Sequence, residues 1–540
     1  MRMNGGKILG TAMLSAALAL APWVPAAAAD ERQSLEELRN TVINLLQALV
    51  DQGVITREKA AQLVKAAQDK AAASAAVVAK ADEGAVRVPY VPQIVKDEIA
   101  KQVAATVKPE VVADVVNTAR IQQWGVPGAL PDWVAHTRIS GYLGLREEGI
   151  LFAPDNVQNV YLNYYAINQA GGIIKAGESA FEITSVNRYR FRGTARLAFD
   201  TDFTDSLTTG VRLSTGNSTD LVSPSQTLDG TAPYQFGVDN LFIRYDARTA
   251  NRFPWLSIVG GRFNNPWFAP TDLIFHRDLT FNGVAATGRL GFGDGSAGQS
   301  HAFFTLGALP IQEIALTSQD KWLYGAQLGT ALHLGNDQRL RFAVAFYDYM
   351  NTQGRLNAFD SDTLDYTAPQ FLRNGNTLFD IRNDDDPTTN LFALASKFRL
   401  ASASFTYDIP IGRHVLGFGV DAVRNMGFKE AQVEERTGTY VQPRTKGYQG
   451  YVSFGYPQVI TAGAWRALIG YRYLQRDAVI DAYTDSDFHG GGTDATGYYL
   501  VGDYGLANHV WMRLRYLSAN EIDGPKLGVD TLQIDLDTQF

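Results

Sequence analysis

The feature that most constrains this chain is a change of period: after Asp132-Trp133, apolar residues recur at every second position, and they do so to the end of the sequence. In the last segment Leu532, Ile534, Leu536 and Phe540 alternate with Asp530, Gln533, Asp535, Asp537 and Gln539, which makes one face apolar and the other acidic or amide. The same pattern predicts strands at 528–540, 509–518, 497–505, 464–475, 447–456, 414–425, 391–408, 339–350, 321–334, 300–309, 282–292, 255–263, 237–248, 206–215, 187–199 and 136–146. Most have about the 9–11 residues that a tilted strand needs to cross a bilayer, whereas strands of soluble proteins centre on about 5–6. The connections alternate as well. Gly335-Asn336-Asp337, Pro410 to Arg413 and Leu506 to Asn508 are tight turns, while 351–390, 426–446 and 476–496 are long. Short turns at one end and long loops at the other are the rule for transmembrane barrels.

An open sheet in lipid would leave edge N–H and C=O groups unpaired at several kcal/mol each, so the first strand is expected to pair with the last. The expected fold class is an all-β transmembrane antiparallel β-barrel of about 16 strands, preceded by a small α-helical periplasmic region. At that size side chains cannot fill the interior, and an aqueous channel follows.

The N-terminus agrees with export. Arg2 and Lys7 precede an apolar stretch from Ile8 to Val24, and small residues ending in Ala27-Ala28-Ala29 come before Asp30, so a secretory signal cleaved after Ala29 is expected. No later run reaches the roughly eighteen apolar residues of a helical span. The chain has no cysteine, which excludes disulfides, thiol nucleophiles and thiolate metal sites. A net charge of −8 argues against a nucleic-acid partner, and 24 Tyr, 28 Phe and 50 Gly suit aromatic girdles and close strand packing. A mean hydropathy of −0.13 fits a barrel, because only alternate residues meet lipid.

Residues 30 to about 123 read as helix. Leu35, Leu38, Val42, Leu45 and Leu49 form a short a/d seam that Gly53 ends, and Thr56 can cap a second helix carrying Leu63 and Val64. The seam leaves a self-packed hairpin and a short coiled coil open, with Ile43 and Leu46 widening the apolar face toward the hairpin. Pro89, Pro92 and Pro109 punctuate a further helical stretch with Ile94, Ile99, Val103 and Val107. The expected organisation is a signal peptide at 1–29, a periplasmic helical hairpin or short coiled coil at 30–88, a helical linker at 89–132 and an outer-membrane β-barrel at 133–540.

Three stretches carry a family likeness: WGVPGALPDWV (Trp124 to Val134), RISGYLGLREEG (Arg138 to Gly149) and GGRFNNPWFAPTDLIFHRDLTFNGVA (Gly260 to Ala285). They resemble the putative porin family of Gram-negative bacteria, whose members carry an α-helical periplasmic region before the barrel. The resemblance implies an outer-membrane diffusion channel without naming a solute, and it brings no catalytic motif. The terminal aromatic resembles the assembly signal of outer-membrane barrels, here Phe540 with Leu536, Ile534 and Leu532 on one face. That likeness implies the barrel-assembly machinery as a partner.

Alternation also assigns the channel wall. From Asn187 to Phe199 the lipid set is Tyr189, Phe191, Ala195, Leu197 and Phe199, which leaves Arg188, Arg190, Arg192, Thr194 and Arg196 for the lumen. Arg138, Arg146, Arg212, Arg244 and Arg262 join them, followed by Arg339, Arg341, Lys397, Arg399, Arg466, Arg472, Arg513 and Arg515. An arginine facing lipid at mid-membrane costs about 2–4 kcal/mol, which favours the inward assignment. A contiguous basic wall with a modest preference for anions is one expectation. The other is that carboxylates pair with the arginines, which then only brace the wall. Asp535 and Asp537 are expected to face arginines across the seam. Asp360, Asp362, Asp365 and Asp384-Asp385-Asp386 make the outer loops acidic; with Asp380, the last three lack the spacing of a Ca²⁺ loop and read as a solvated acidic tip. Gly490-Gly491-Gly492 lacks the Lys-Ser/Thr of a phosphate loop, and His301 and His489 show no ligand spacing. No metal or cofactor is expected.

The function these features predict is passive diffusion of small hydrophilic solutes, with loop 351–390 or 147–186 narrowing the pore. The alternative is a structural anchor that tethers the envelope through the N-terminal helices. A surface hydrolase would need a Ser-His or Asp-His constellation, and none is recognisable. Expected partners are outer-membrane lipid and lipopolysaccharide, the barrel-assembly machinery, hydrophilic solutes, and either peptidoglycan or two further copies of the chain.

Overall fold

The computed structural model describes residues 132–540 apart from 217–220, 232, 293–298, 316 and 387, together with positions 61, 62, 65 and 69. Met1–Val112 and Ala113–Phe540 are separate units, and each is taken by itself. In the first, Ala61, Gln62, Lys65 and Asp69 are helical and exposed. The signal peptide, the a/d seam and most of the proline-punctuated stretch lie outside the described residues.

Sixteen long strands form the wall: β1 (Thr137–Phe152), β2 (Arg188–Thr204), β3 (Leu207–Thr215), β4 (Phe236–Arg248), β5 (Pro254–Asn264), β6 (Thr280–Gly291), β7 (His301–Gln312), β8 (Lys321–His333), β9 (Arg339–Met350), β10 (Arg399–Ile411), β11 (His414–Asn425), β12 (Lys446–Gly455), β13 (Trp465–Leu474), β14 (Ala495–Ala507), β15 (Val510–Glu521) and β16 (Gly528–Gln539). Each pairs antiparallel with its sequence neighbours, and a two-residue strand, Gln226–Thr227, adds to β2. β1 pairs with β16 from Tyr142↔Gln539 to Phe152↔Val529, so the sheet is closed and no edge faces lipid. The tight turns use residues that tolerate positive φ: Asn336 and Asp337 between β8 and β9, Gly412 between β10 and β11, and His509 between β14 and β15.

The two sides of the wall differ as the alternation requires. Ile139, Leu143, Tyr189, Phe191, Leu241, Ile243, Leu328, Val344, Ile469, Leu514 and Ile534 are exposed on the outside, which in a membrane means exposed to acyl chains. Leu532, Ile534, Leu536 and Phe540, the expected assembly signal, lie on that outer side as well. The main apolar core lies on the inner side, around Trp267, Phe275, Phe281 and Tyr347.

The largest departures from the expected boundaries fall at three strand ends. The predicted strand 391–408 begins at Arg399, because Phe392–Leu394 turns away to pair with Leu378–Asp380 in a hairpin of the outer loop. β1 runs on to Phe152 and β2 to Thr204 because Phe152 pairs with Val529 of β16 and Thr204 with Leu207 of β3.

Candidate functional site

Between β5 and β6, residues 265–279 leave the wall and pack inside the barrel. The buried Trp267 ring meets Phe275, Phe281 and Tyr347 with centroids 5.6, 5.9 and 4.9 Å away. Gly307 on β7 and Gly325 on β8 face the indole, and a Cβ at either position would overlap it. These glycines therefore open a slot in the wall. Polar clasps fix the backbone in that slot: Gln327 accepts from Phe268 N at 2.8 Å and donates to Phe268 O at 2.9 Å, while Asp421 accepts from Thr271 N at 2.8 Å and its hydroxyl at 2.6 Å. Leaving such buried groups unpaired would cost about 1–3 kcal/mol each, so the loop is held in.

A second segment, 475–494 between β13 and β14, packs against the first. Arg472, which is 1% exposed, donates to Thr484 Oγ1 at 2.6 Å and to Asp272 O at 3.4 Å, joining the two. Asp487 accepts from Arg515 at 2.9 Å and Arg146 at 3.3 Å. Burial raises its carboxyl, but Arg146 and Arg515 outweigh burial and hold it well below the usual carboxylate range. Asp481 is different. Burial pushes it up to about 8 despite a 3.0 Å bond from Arg373 N. Burial likewise lifts Asp477 to about 6 and lowers His489 to about 4, the latter bonded through Nε2 to Leu527 O at 3.2 Å.

The segments packed against the inner wall are thus 265–279 and 475–494, and the expected loops 351–390 and 147–186 pack onto them. The latter stack above: Asn376 donates to Arg476 O and Val479 O at 2.7 and 2.8 Å, and Asn168 donates to Phe392 O at 2.8 Å. The inward fold follows from aromatic content matched to glycines on the facing strands.

Most of the sixteen arginines singled out from the sequence lie on the side opposite the exposed apolar residues, but carboxylates interrupt them. Arg146 meets Asp535 at 2.6 Å, so the seam pairing expected for Asp535 is present, and Tyr142 donates to Asp537 at 2.6 Å. Glu148 takes Arg190 at 2.9 Å and Arg192 at 3.5 Å. Arg196 pairs with Asp278 at 2.8 Å, Arg212 with Asp239 at 2.8 Å, Arg244 with Asp246 at 3.2 Å and Arg138 with Asp202 at 2.8 Å. Asp503 holds both Arg466 and Arg513, at 2.9 and 2.6 Å, and Asp485 lies 3.9 Å from Arg472. Among the described residues Arg188, Arg262, Arg339 and Arg341 have no carboxylate within 4.0 Å. Arg339 stands across from Asp408 in register, and Arg341 lies over the Phe268 ring at 4.1 Å.

Two assignments change. The wall is not contiguously basic, because Glu148, Asp239, Asp278, Asp487 and Asp503 interleave with the arginines. Arg262 donates to Asp239 O at 3.0 Å and Asn282 at 3.4 Å and lines a depression with Arg196 and Asp278. Lys397 and Arg399 do not face inward: Arg399 pairs with Asp348 at 3.2 Å on the side opposite the buried Tyr347 and Leu400, and Lys397 lies 3.9 Å from the same carboxylate. The wall acids had a signal in the sequence, since Glu148 and Asp503 sit in the same alternating register as their arginines. Among the described residues no cluster of His, Cys, Asp or Glu has the geometry of a metal site.

Between the inward segments and the turn end lies a cavity of about 1070 Å³, lined by Arg196, Arg212, Asp278, Arg466, Arg513 and Arg515. A closed antiparallel barrel with polar pairs inside, an apolar belt outside and loops folded into its lumen defines an outer-membrane β-barrel. The chain belongs to the putative porin family, whose model matches residues 39–540. Membership supports a porin role and points to a non-enzymatic channel. No curated protein matches the chain. Similar solved structures include OprB of Pseudomonas putida, 7% identical over 77% of this chain and 97% of that one, with a TM-score of 0.44. OmpT of Vibrio cholerae is 10% identical over 75% and 99%, and the channel DcaP of Acinetobacter baumannii is 9% identical over 75% and 98%, each with a TM-score of 0.39. At that distance no property of theirs transfers.

Proposed function

We propose that the chain is a passive channel for small hydrophilic solutes, narrowed by the inward loop 265–279 and weakly preferring anions. The observation that carries this reading is the position of the cavity: the loop is clasped to one side of the barrel, and the remaining space is lined by arginines and their carboxylates. The charge of such a lining sets the barrier to ions. Because most of these arginines are paired, the preference is expected to be modest. Residues 1–29 would serve export, and the helical region would lie on the turn side, in the periplasm.

Reversal potentials across planar bilayers under a salt gradient test the proposal. A modest shift toward the anion equilibrium potential is expected, and clear cation selectivity would sink the anion preference while leaving the channel itself intact.

A further inference from the structure

A charged patch faces the wrong way for a channel wall. On β11 and β12, Arg424 and Lys446 are register partners, exposed on the outer side, next to the buried, inward Val423 and Gly447. Like charges directly opposite one another destabilise a strand pair unless a counter-charge is supplied. Among the described residues no carboxylate lies within 4.0 Å of either, and the neighbouring Asp348 is already shared by Arg399 and Lys397.

The height of the patch identifies what it meets. One step further down the outer face of β12, Tyr448 stacks with Tyr473 and Tyr471, with centroids 5.2 and 6.3 Å away. Outward aromatic girdles mark the membrane interface, so Arg424 and Lys446 stand at headgroup level on the loop end, which is the outer leaflet. Below the girdle, the same face of β12 to β15 carries an apolar depression of about 500 Å³ lined by Val452, Phe454, Ile469, Leu500, Leu514 and Tyr516. Strand residues advance about 3.3 Å each, so Val452 lies about 20 Å from Lys446, comparable to the reach of an extended acyl chain.

We infer that Arg424 and Lys446 bind a phosphate of the outer leaflet's phosphorylated glycolipid, whose acyl chains run past the tyrosines into this depression. A phosphate between two cations turns a repulsive pair into a bridged one, with charge-assisted hydrogen bonds from the guanidinium and the ammonium. The inference rests on the barrel being in the outer membrane and not on its selectivity.

The test uses the full chain in detergent micelles and bis-phosphorylated lipid A as probe, with phosphatase-treated lipid A and phosphatidylglycerol as separate arms. Near a membrane surface each basic residue contributes enough that losing both should weaken lipid A binding about 30-fold. Arg424→Gln with Lys446→Gln is expected to show that loss, while Lys526→Ala, in an exposed loop pair, binds as the parent does. Single-channel conductance of the double variant should match the parent, which shows that the barrel has folded. Unchanged affinity in the double variant overturns the site. Equal binding of the phosphatase-treated lipid shows that the depression alone is the attraction, and equal, charge-dependent binding of phosphatidylglycerol shows that the ligand is a phospholipid; either result overturns the assignment to the glycolipid. A change in oligomeric state of the double variant, read by light scattering, would assign the patch to a second copy of the chain instead.

Discussion

The two halves of the barrel wall fill their inner side by opposite means. From β13 through the seam to β4, arginines and carboxylates alternate: Asp503 between Arg466 and Arg513, Asp535 against Arg146, Glu148 against Arg190, and Asp239 against Arg212. From β6 to β9 the inner side under the loop is mainly glycine and aromatic, with Gly307 and Gly325 under Trp267, Phe281 and Tyr347 beside it, and Arg341 stacked on Phe268 at its margin. The backbone is the same in both halves. The apolar half is dry because a loop covers it, and the charged half stays polar because the cavity runs beside it. A charge under the loop would lose its hydration and keep only a ring face as partner, as Arg341 does on Phe268, and a bare aromatic arc beside water would gain nothing from burial.

The predictions break that contrast at one half or the other. The largest effect is expected from Trp267→Ala, which removes the centre of the apolar half. Emptying such a site costs about 3–5 kcal/mol, so the loop should detach and single-channel conductance should rise several-fold, with a lower temperature of heat-modifiable gel migration. Gly325→Val should give the same change by filling the slot from the other side.

In the charged half, Asp503→Asn leaves Arg466 and Arg513 without their shared carboxylate, and reversal potentials should move clearly toward anions with a small change in conductance. Unaltered selectivity would mean that these pairs lie off the ion path.

A smaller effect concerns pH. A free aspartate titrates near 3.9, whereas burial raises Asp481 to about 8 and Asp477 to about 6. Their protonated forms are favoured when segment 475–494 is packed, so their contribution is full below about pH 4 and is lost progressively as pH rises toward 8. Asp487 runs the other way: its carboxyl is depressed, so its contribution is lost only in stronger acid. Protection of the 475–494 amides relative to their intrinsic exchange rates should therefore fall between pH 5 and 8, and Asp481→Asn should flatten most of that fall. The smallest change is expected from Arg341→Gln, which removes a guanidinium stacked over Phe268, worth about 0.5–2 kcal/mol to loop packing, and should lower anion preference only slightly.

The contrast between the halves also shows what the sequence made legible. Strands 339–350 and 414–425 match the structure to the residue, because a half-exposed strand in lipid alternates strictly. The strand expected over 391–408 starts only at Arg399 because its first apolar residues belong to a loop hairpin that alternates in the same way. The arginines of the charged half could be assigned by register, but their pairing could not, since Glu148 and Arg190 are brought together only by the β1–β2 ladder. The inward loop was not visible as such although its segment was singled out for family likeness. Its position depends on contacts such as Thr271 with Asp421, 150 residues away, and on glycines on strands that follow it.

In the proposed channel, solutes pass beside the charged half, past a loop clasped to the other. Single-channel recording of the full chain in planar bilayers, with uncharged sugars of increasing size and a series of anions and cations, tests it most directly. The account predicts discrete conductance steps, a size cutoff for sugars that relaxes in Trp267→Ala, and a modest anion preference that grows in Asp503→Asn. An absence of conductance steps, or a cutoff unchanged when Trp267 is removed, would contradict it.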